Sequence, residues 1–200
     1  YLVDFSYKRA VVEEMCEQAA LVILIDHHKT AMDDLVILTE SGSAAYKKNF
    51  LWYVDITRSG AMLAWDYLFN GFYTTRSTYL PTHPEYKEPP LLLEYIQDRD
   101  LWKFKLQRSR EISAAVFSYE YTFEQWDQLM LGTSIINMWA AGEAIERKHH
   151  KDIKGLLKVC MHYDHIGENL VPVANMPYTM ASDACHEMTK NWQNGEVFAA

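Results

Sequence analysis

The chain is 200 residues long, 49% hydrophobic and 23% charged, the balance of an ordinary globular protein rather than a disordered one. Its formal net charge of −8 speaks against the broad basic surface that wraps long nucleic acids, while leaving room for a short anionic substrate held by metal ions. No apolar run reaches the roughly 18 residues of a membrane span, so no membrane partner is expected.

The first predicted element is a short strand, Leu2-Val3, that stops at the carboxylate of Asp4. A helix over Ser6 to Ala20 follows, with Val11, Val12, Met15 and Ala19 on roughly one face. The run Leu21-Val22-Ile23-Leu24-Ile25 then reads as a buried strand ending abruptly in Asp26, His27 and His28. Strand, helix and strand in this order form a βαβ unit with parallel strands and a right-handed crossover. Parallel strands end on the same edge, where open α/β sheets bind ligands. Asp4, Asp26, His27 and His28 therefore converge on one crevice, and aspartate with histidine is a donor set for divalent transition metals. The bland alternative is that Asp4 and Asp26 only cap the helices that follow them.

Farther along, Thr30 to Leu35 reads as a short helix and Phe50 to Val54 as an aromatic, β-branched strand. Arg58 to Phe69 reads as a helix, and its start at Arg58-Ser59-Gly60 could hold a phosphate on free N–H groups or simply be capped by Thr57 or Ser59. Gly71 to Pro90 is a long proline-punctuated loop. Pro89-Pro90 opens a helix through Leu93 and Ile96 to Asp98. Arg99, Lys103, Lys105, Arg108 and Arg110, interleaved with Trp102 and Phe104, form either a phosphate-facing rim or a row of solvated cations. From Ser109 the pattern is helical, and Ile135 to Val159 is one long amphipathic stretch. His149 and His150 point about 100° apart there and read as solvated surface residues. Val171 to Ala174 reads as a strand, Ala181 to Trp192 as a helix and Val197 to Ala199 as the start of another strand. Cys16, Cys160 and Cys185 lack metal-binding spacing and read as reduced thiols of a cytoplasmic protein.

These residues resemble the DHH phosphoesterase family, of the oligoribonuclease type in which a DHH domain is joined to a DHHA1 domain. The resemblance rests on Leu2-Val3-Asp4 as motif II, Asp26-His27-His28 as motif III, the helix start Arg58-Ser59-Gly60-Ala61, and Asp98-Arg99-Asp100-Leu101-Trp102-Lys103-Phe104 as motif IV. In motif IV Asp98 is the preferred match, because Trp102 and Phe104 then fall on its aromatic positions, and Asp100 is the fallback. The family's opening His-x-Asp-x-Asp segment and its closing Gly-Gly-Gly-His motif are not found in the chain. It is therefore expected to be an internal fragment of a longer protein, impaired on its own.

The resemblance implies an α/β fold: a parallel-sheet DHH domain over residues 1–132, a connecting helix over 133–166, and the start of a smaller substrate-binding domain over 167–200. It implies a phosphodiesterase dependent on Mn²⁺, with Mg²⁺ as the other option, acting through two metal ions on short oligonucleotides or small nucleotide phosphoesters. A mixed carboxylate–imidazole set suits Mn²⁺ better than Mg²⁺. Asp4 would bridge the metals, His27 and Asp98 would bind the second, Asp26 would orient an imidazole, and His28 would face the substrate phosphate. Arg58, Ser59, Gly60 and Arg99 would contact substrate, and a homodimer is compatible with the family. A pyrophosphatase, a cyclic-dinucleotide phosphodiesterase and a non-catalytic binding protein are the competing readings.

Overall fold

In a computed structural model of the chain, residues 1–70 and 87–190 are described, together with the paired backbone segments 72–73 and 79–80. The elements run β1 (Leu2–Val3), α1 (Arg9–Gln18), β2 (Val22–Asp26), α2 (Lys29–Leu35), β3 (Phe50–Val54), α3 (Gly60–Phe69), β4 (Phe72–Tyr73), β5 (Tyr79–Leu80) and α4 (Leu91–Asp100). They continue with α5 (Ser109–Val116), α6 (Phe123–Leu131), α7 (Ile135–Cys160), β6 (His162–Ile166), β7 (Asn169–Val173) and α8 (Tyr178–Lys190). The protein is mixed α/β, and β1, β2 and β3 form a small parallel sheet in that order.

All of β2 is buried, which explains why its sequence is a continuous apolar run rather than an alternating one. Its side chains still alternate between two cores. Val22 and Leu24 join Val12 and Cys16 of α1, Leu35, Leu38 and Phe50 on one face. Ile23 and Ile25 pack with Leu63 of α3, Leu51 and Tyr53 on the other. The Asn49 side-chain amide donates to the carbonyls of Cys16 and Ala19, tying the end of α1 to the entry of β3.

A second core lies among the later helices, with Leu92, Ile112, Ala115, Val116, Leu129 and Met138 at its centre. There α5 and α7 meet backbone to backbone. A Cβ on Gly142 of α7 would lie 1.7 Å from the Glu111 carbonyl oxygen of α5. Only glycine permits that approach.

The long helix begins where the pattern predicts it, but residues 162–166, expected at the end of the connecting segment, form β6, antiparallel to β7. All five β6 residues are exposed, so no apolar signal marks the strand. Its partner is fixed instead by a two-residue loop whose first member, Gly167, has φ 63°. The helix expected from Ala181 starts earlier, at Tyr178. Within the expected loop Gly71 to Pro90, β4 pairs with β5, and the remainder up to residue 86 lies outside the described residues. The strand expected at Val197 to Ala199 also lies outside them.

Candidate metal centre

The parallel register places Leu2 beside Leu24 and Val3 beside Ile25, so the ends of β1 and β2 open on one edge. Asp4 leaves β1 with φ 61°, a left-handed conformation costly for a residue with a Cβ, while its N–H donates to the Ile25 carbonyl at 2.8 Å. That turn brings the Asp4 carboxylate to His27, with Oδ1 3.3 Å from Nε2. Asp100, at the end of α4, approaches the same Nε2 at 3.4 Å. These separations exceed the roughly 2.7–2.9 Å of a charge-assisted hydrogen bond. They match the separation of about 3 Å expected between neighbouring ligands set 2.0–2.1 Å from one shared ion.

Asp26 is fully buried, and its Oδ1 accepts from the N–H groups of His27 at 2.7 Å and His28 at 3.2 Å. The same oxygen lies 2.6 Å from His28 Nδ1. The imidazole held by Asp26 is thus His28, not His27. With Nδ1–H donated to Asp26, the lone pair of His28 is on Nε2. Asp26 Oδ2 is buried with no protein partner among the described residues, a costly state for a carboxylate oxygen unless a cation satisfies it. Donor atoms of Asp4, His27 and His28 all lie within 4.8 Å of one another, which fits a metal ion.

The electrostatics agree with that fit. Burial and then the like charge of Asp100 lift the Asp4 carboxyl above its ordinary range, against the opposing pull of His27 and His28. The hydrogen bond that His28 Nδ1–H donates to Asp26 raises the imidazole above its ordinary value, with burial opposing it. Crowded carboxylates around an imidazole are relieved by a cation.

Asp98, the motif IV residue preferred on sequence, is placed elsewhere. Positions two apart on a helix point about 200° apart, so Asp98 and Asp100 cannot serve the same side. The Asp98 carboxylate faces its own loop, accepting from Lys105 N–H at 2.9 Å and Leu106 N–H at 3.0 Å, while its carbonyl accepts from Lys103 and Phe104. The fallback, Asp100, is the residue beside His27.

The expected substrate contacts divide in the same way. Ser59 is fully buried, its Oγ accepting from Met62 N–H as the cap of α3 and its own N–H donating to Gln97 Oε1 at 3.1 Å. Arg58 is paired with Asp66. Gly60 instead lies directly against the Asp4 carboxylate. Arg99 lines the cavity of about 380 Å³ that also contains Asp4, Asp100, Tyr95 and Trp102. His149, read from sequence as solvated, is half-buried and lies 3.1 Å from Asp183 of α8. His150 is half-buried too, 2.8 Å from Glu146. The charged run Arg147 to Lys151 conceals that α8 covers this part of α7.

No family model matches the chain, and no solved structure matches it. Among curated proteins it is similar to the uncharacterized protein R106 of Acanthamoeba polyphaga mimivirus, 28% identical over 127 residues that make up 64% of this chain and 24% of the viral protein. The matched segment thus spans about a quarter of that protein's length.

Proposed function

We propose that the chain carries the metal-dependent phosphodiesterase centre of a DHH-family phosphoesterase, acting on short oligonucleotides or small nucleotide phosphoesters. The observation that carries this reading is the approach of the Asp4 and Asp100 carboxylates to His27 Nε2 at the open edge of the parallel sheet. Asp4, His27 and Asp100 would hold the ion, and their mixed oxygen and nitrogen donors favour Mn²⁺ over Mg²⁺. When bound, the ion would supply Lewis acidity that neutralises charge on phosphoryl oxygens.

The chain's own residues do the rest. Asp26 accepts from Nδ1–H of His28 and favours the protonated imidazole, so that Nε2–H would face a substrate phosphate and donate its proton to the leaving oxygen. Gly60 leaves room for the Asp4 carboxylate to reach His27. Arg99, in the adjoining cavity, offers a cation to substrate charge.

Thermal melting with added Mn²⁺, together with Mn²⁺-dependent hydrolysis of bis(p-nitrophenyl) phosphate, tests the reading. Mn²⁺ is expected to raise the melting temperature, and His27→Ala to remove both the rise and the turnover. Melting that is indifferent to Mn²⁺ overturns the proposal in favour of a binding protein without a metal.

A further inference from the structure

The basic residues that sequence gathers into one rim separate in the fold. Lys103 Nζ reaches the Thr57 carbonyl at 3.3 Å, and Arg108 lies over Trp139 and bonds Glu111. Arg99 and Arg110 turn instead toward α8. Arg99 NH2 and Arg110 NH1 each lie 3.5 Å from the Asp183 carboxylate, and His149 Nε2 lies 3.1 Å from it. Residues of α4, α5 and α7 thereby meet on one acidic group of α8.

The arrangement is well built but poorly satisfied. Arg99 lies over the Trp102 ring at 4.3 Å and Arg110 over the Phe104 ring at 3.6 Å, which helps to hold both guanidiniums in place. Each guanidinium has five N–H donors in a fixed fork, yet each touches Asp183 through one nitrogen at a distance beyond a charge-assisted hydrogen bond. A single carboxylate cannot fork both. Glu146, the other acid in the wall, is engaged by His150 at 2.8 Å.

These groups line a cavity of about 610 Å³, within the usual size range of small-molecule sites. Its wall also carries Phe117, Tyr121 and Tyr178, which are 58%, 66% and 90% exposed. Aromatic faces left to solvent beside paired guanidiniums suit a ring-bearing phosphate ester. The cavity shares Arg99, Ser113, Phe117 and Ser182 with the one lined by Asp4 and Asp100, so the two adjoin.

We propose that this cavity is a recognition site for the phosphate of a nucleoside phosphate, and that the Asp183 carboxylate is the resident counter-ion which the incoming phosphate replaces between Arg99, Arg110 and His149. A phosphate oxyanion can accept from both forks and the imidazole at once, where Asp183 cannot. The ring then lies among Phe117, Tyr121 and Tyr178. The site rests on the metal-centre reading for the bond that is cut, but its binding requires no metal.

Isothermal titration of the full chain with adenosine 5′-monophosphate in EDTA tests this. Saturable binding at one site per chain is expected, weakened about tenfold or more by Arg110→Ala. Arg110→Lys, which retains charge without the fork, is expected to fall between, and it keeps the test decisive if the alanine variant does not fold. Asp183→Asn is expected to bind several times more tightly, because the competing anion is gone. A purely structural Asp183 predicts weaker or unchanged binding in that variant, and that result overturns the exchange. Inorganic phosphate binding as tightly as the nucleotide overturns the role of the ring, and adenosine doing so overturns the role of the phosphate. Absent nucleotide binding alongside a Mn²⁺-induced rise in melting temperature overturns this site and leaves the metal centre standing.

Discussion

Gly60 and Asp4 occupy adjoining space so closely that a Cβ on Gly60 would stand 2.0 Å from Asp4 Oδ1 and 2.4 Å from its carboxyl carbon. The start of α3 is therefore part of the candidate metal centre by exclusion: the absence of a side chain at Gly60 lets the carboxylate stand against His27. Asp4 has little freedom to yield, because its backbone is already left-handed and its N–H is tied to β2.

Gly60→Ala should displace the Asp4 carboxylate from His27 and destabilise the fold by about 1–3 kcal/mol through overpacking. The expected signature is a lost response to Mn²⁺ in thermal melts alongside a lowered melting temperature in EDTA. An alanine variant that still answers Mn²⁺ like the parent would show that Asp4 is not a ligand.

Asp98 and Asp100 should separate cleanly. Asp100→Asn is expected to leave melting in EDTA within about 0.5 kcal/mol of the parent, as for an ordinary partly exposed position, while abolishing most of the stabilisation by Mn²⁺. In the parent that stabilisation should approach about 2.7 kcal/mol when free Mn²⁺ is 100 times its dissociation constant. Equal Mn²⁺ responses in the parent and the Asp100 variant would remove Asp100 from the site.

Asp98→Asn should do the opposite, lowering stability in EDTA by about 1–3 kcal/mol. Burial alone would raise the Asp98 carboxyl, but the hydrogen bonds it accepts, those from the N–H groups of Lys105 and Leu106 among them, and the nearby Lys103 charge hold the group below its ordinary range. A depressed folded value means that the stabilisation is fully present above the unfolded aspartate range, about pH 4, and is lost as pH falls through the folded value. Acid melts of the parent and the variant should therefore converge at low pH. A constant gap between them down to the lowest pH would exclude an ionised Asp98 as the cause.

Gly142→Ala should drive a methyl group into the Glu111 carbonyl across the α5–α7 contact. A loss of about 1–3 kcal/mol is expected from the strain, read by chemical denaturation. The carboxylates and His27 lie on other elements, so retention of the Mn²⁺ response in the folded variant is the accompanying expectation.

Asp98 also shows where the sequence stopped being legible. It and Asp100 are two carboxylates two residues apart, and the spacing of Trp102 and Phe104 favours Asp98. What separates them is that the loop after α4 folds back so that Lys105 and Leu106 donate to Asp98. Trp102 and Phe104 hold left-handed backbone in that loop, at φ 53° and 47°, and its hydrogen bonds to Asp98 help to fix them there. The aromatic spacing that favoured Asp98 thus belongs to a loop organised by Asp98. Strand β6 was hidden for a different reason, since an exposed hairpin strand needs no apolar alternation.

The sequence by itself determined the central strand β2 and the edge on which its chemistry falls. A run buried on both faces must be apolar throughout, and its polar ending has to emerge at a parallel-sheet edge. It also determined the long helix α7, whose amphipathic period extends over many turns. Only the tertiary structure decided which carboxylate meets His27, which imidazole Asp26 holds, and that Arg99, Arg110, His149 and Asp183 meet. Those pairings join residues from separate elements, and no local periodicity encodes a distance between elements that the packing of several helices must set together.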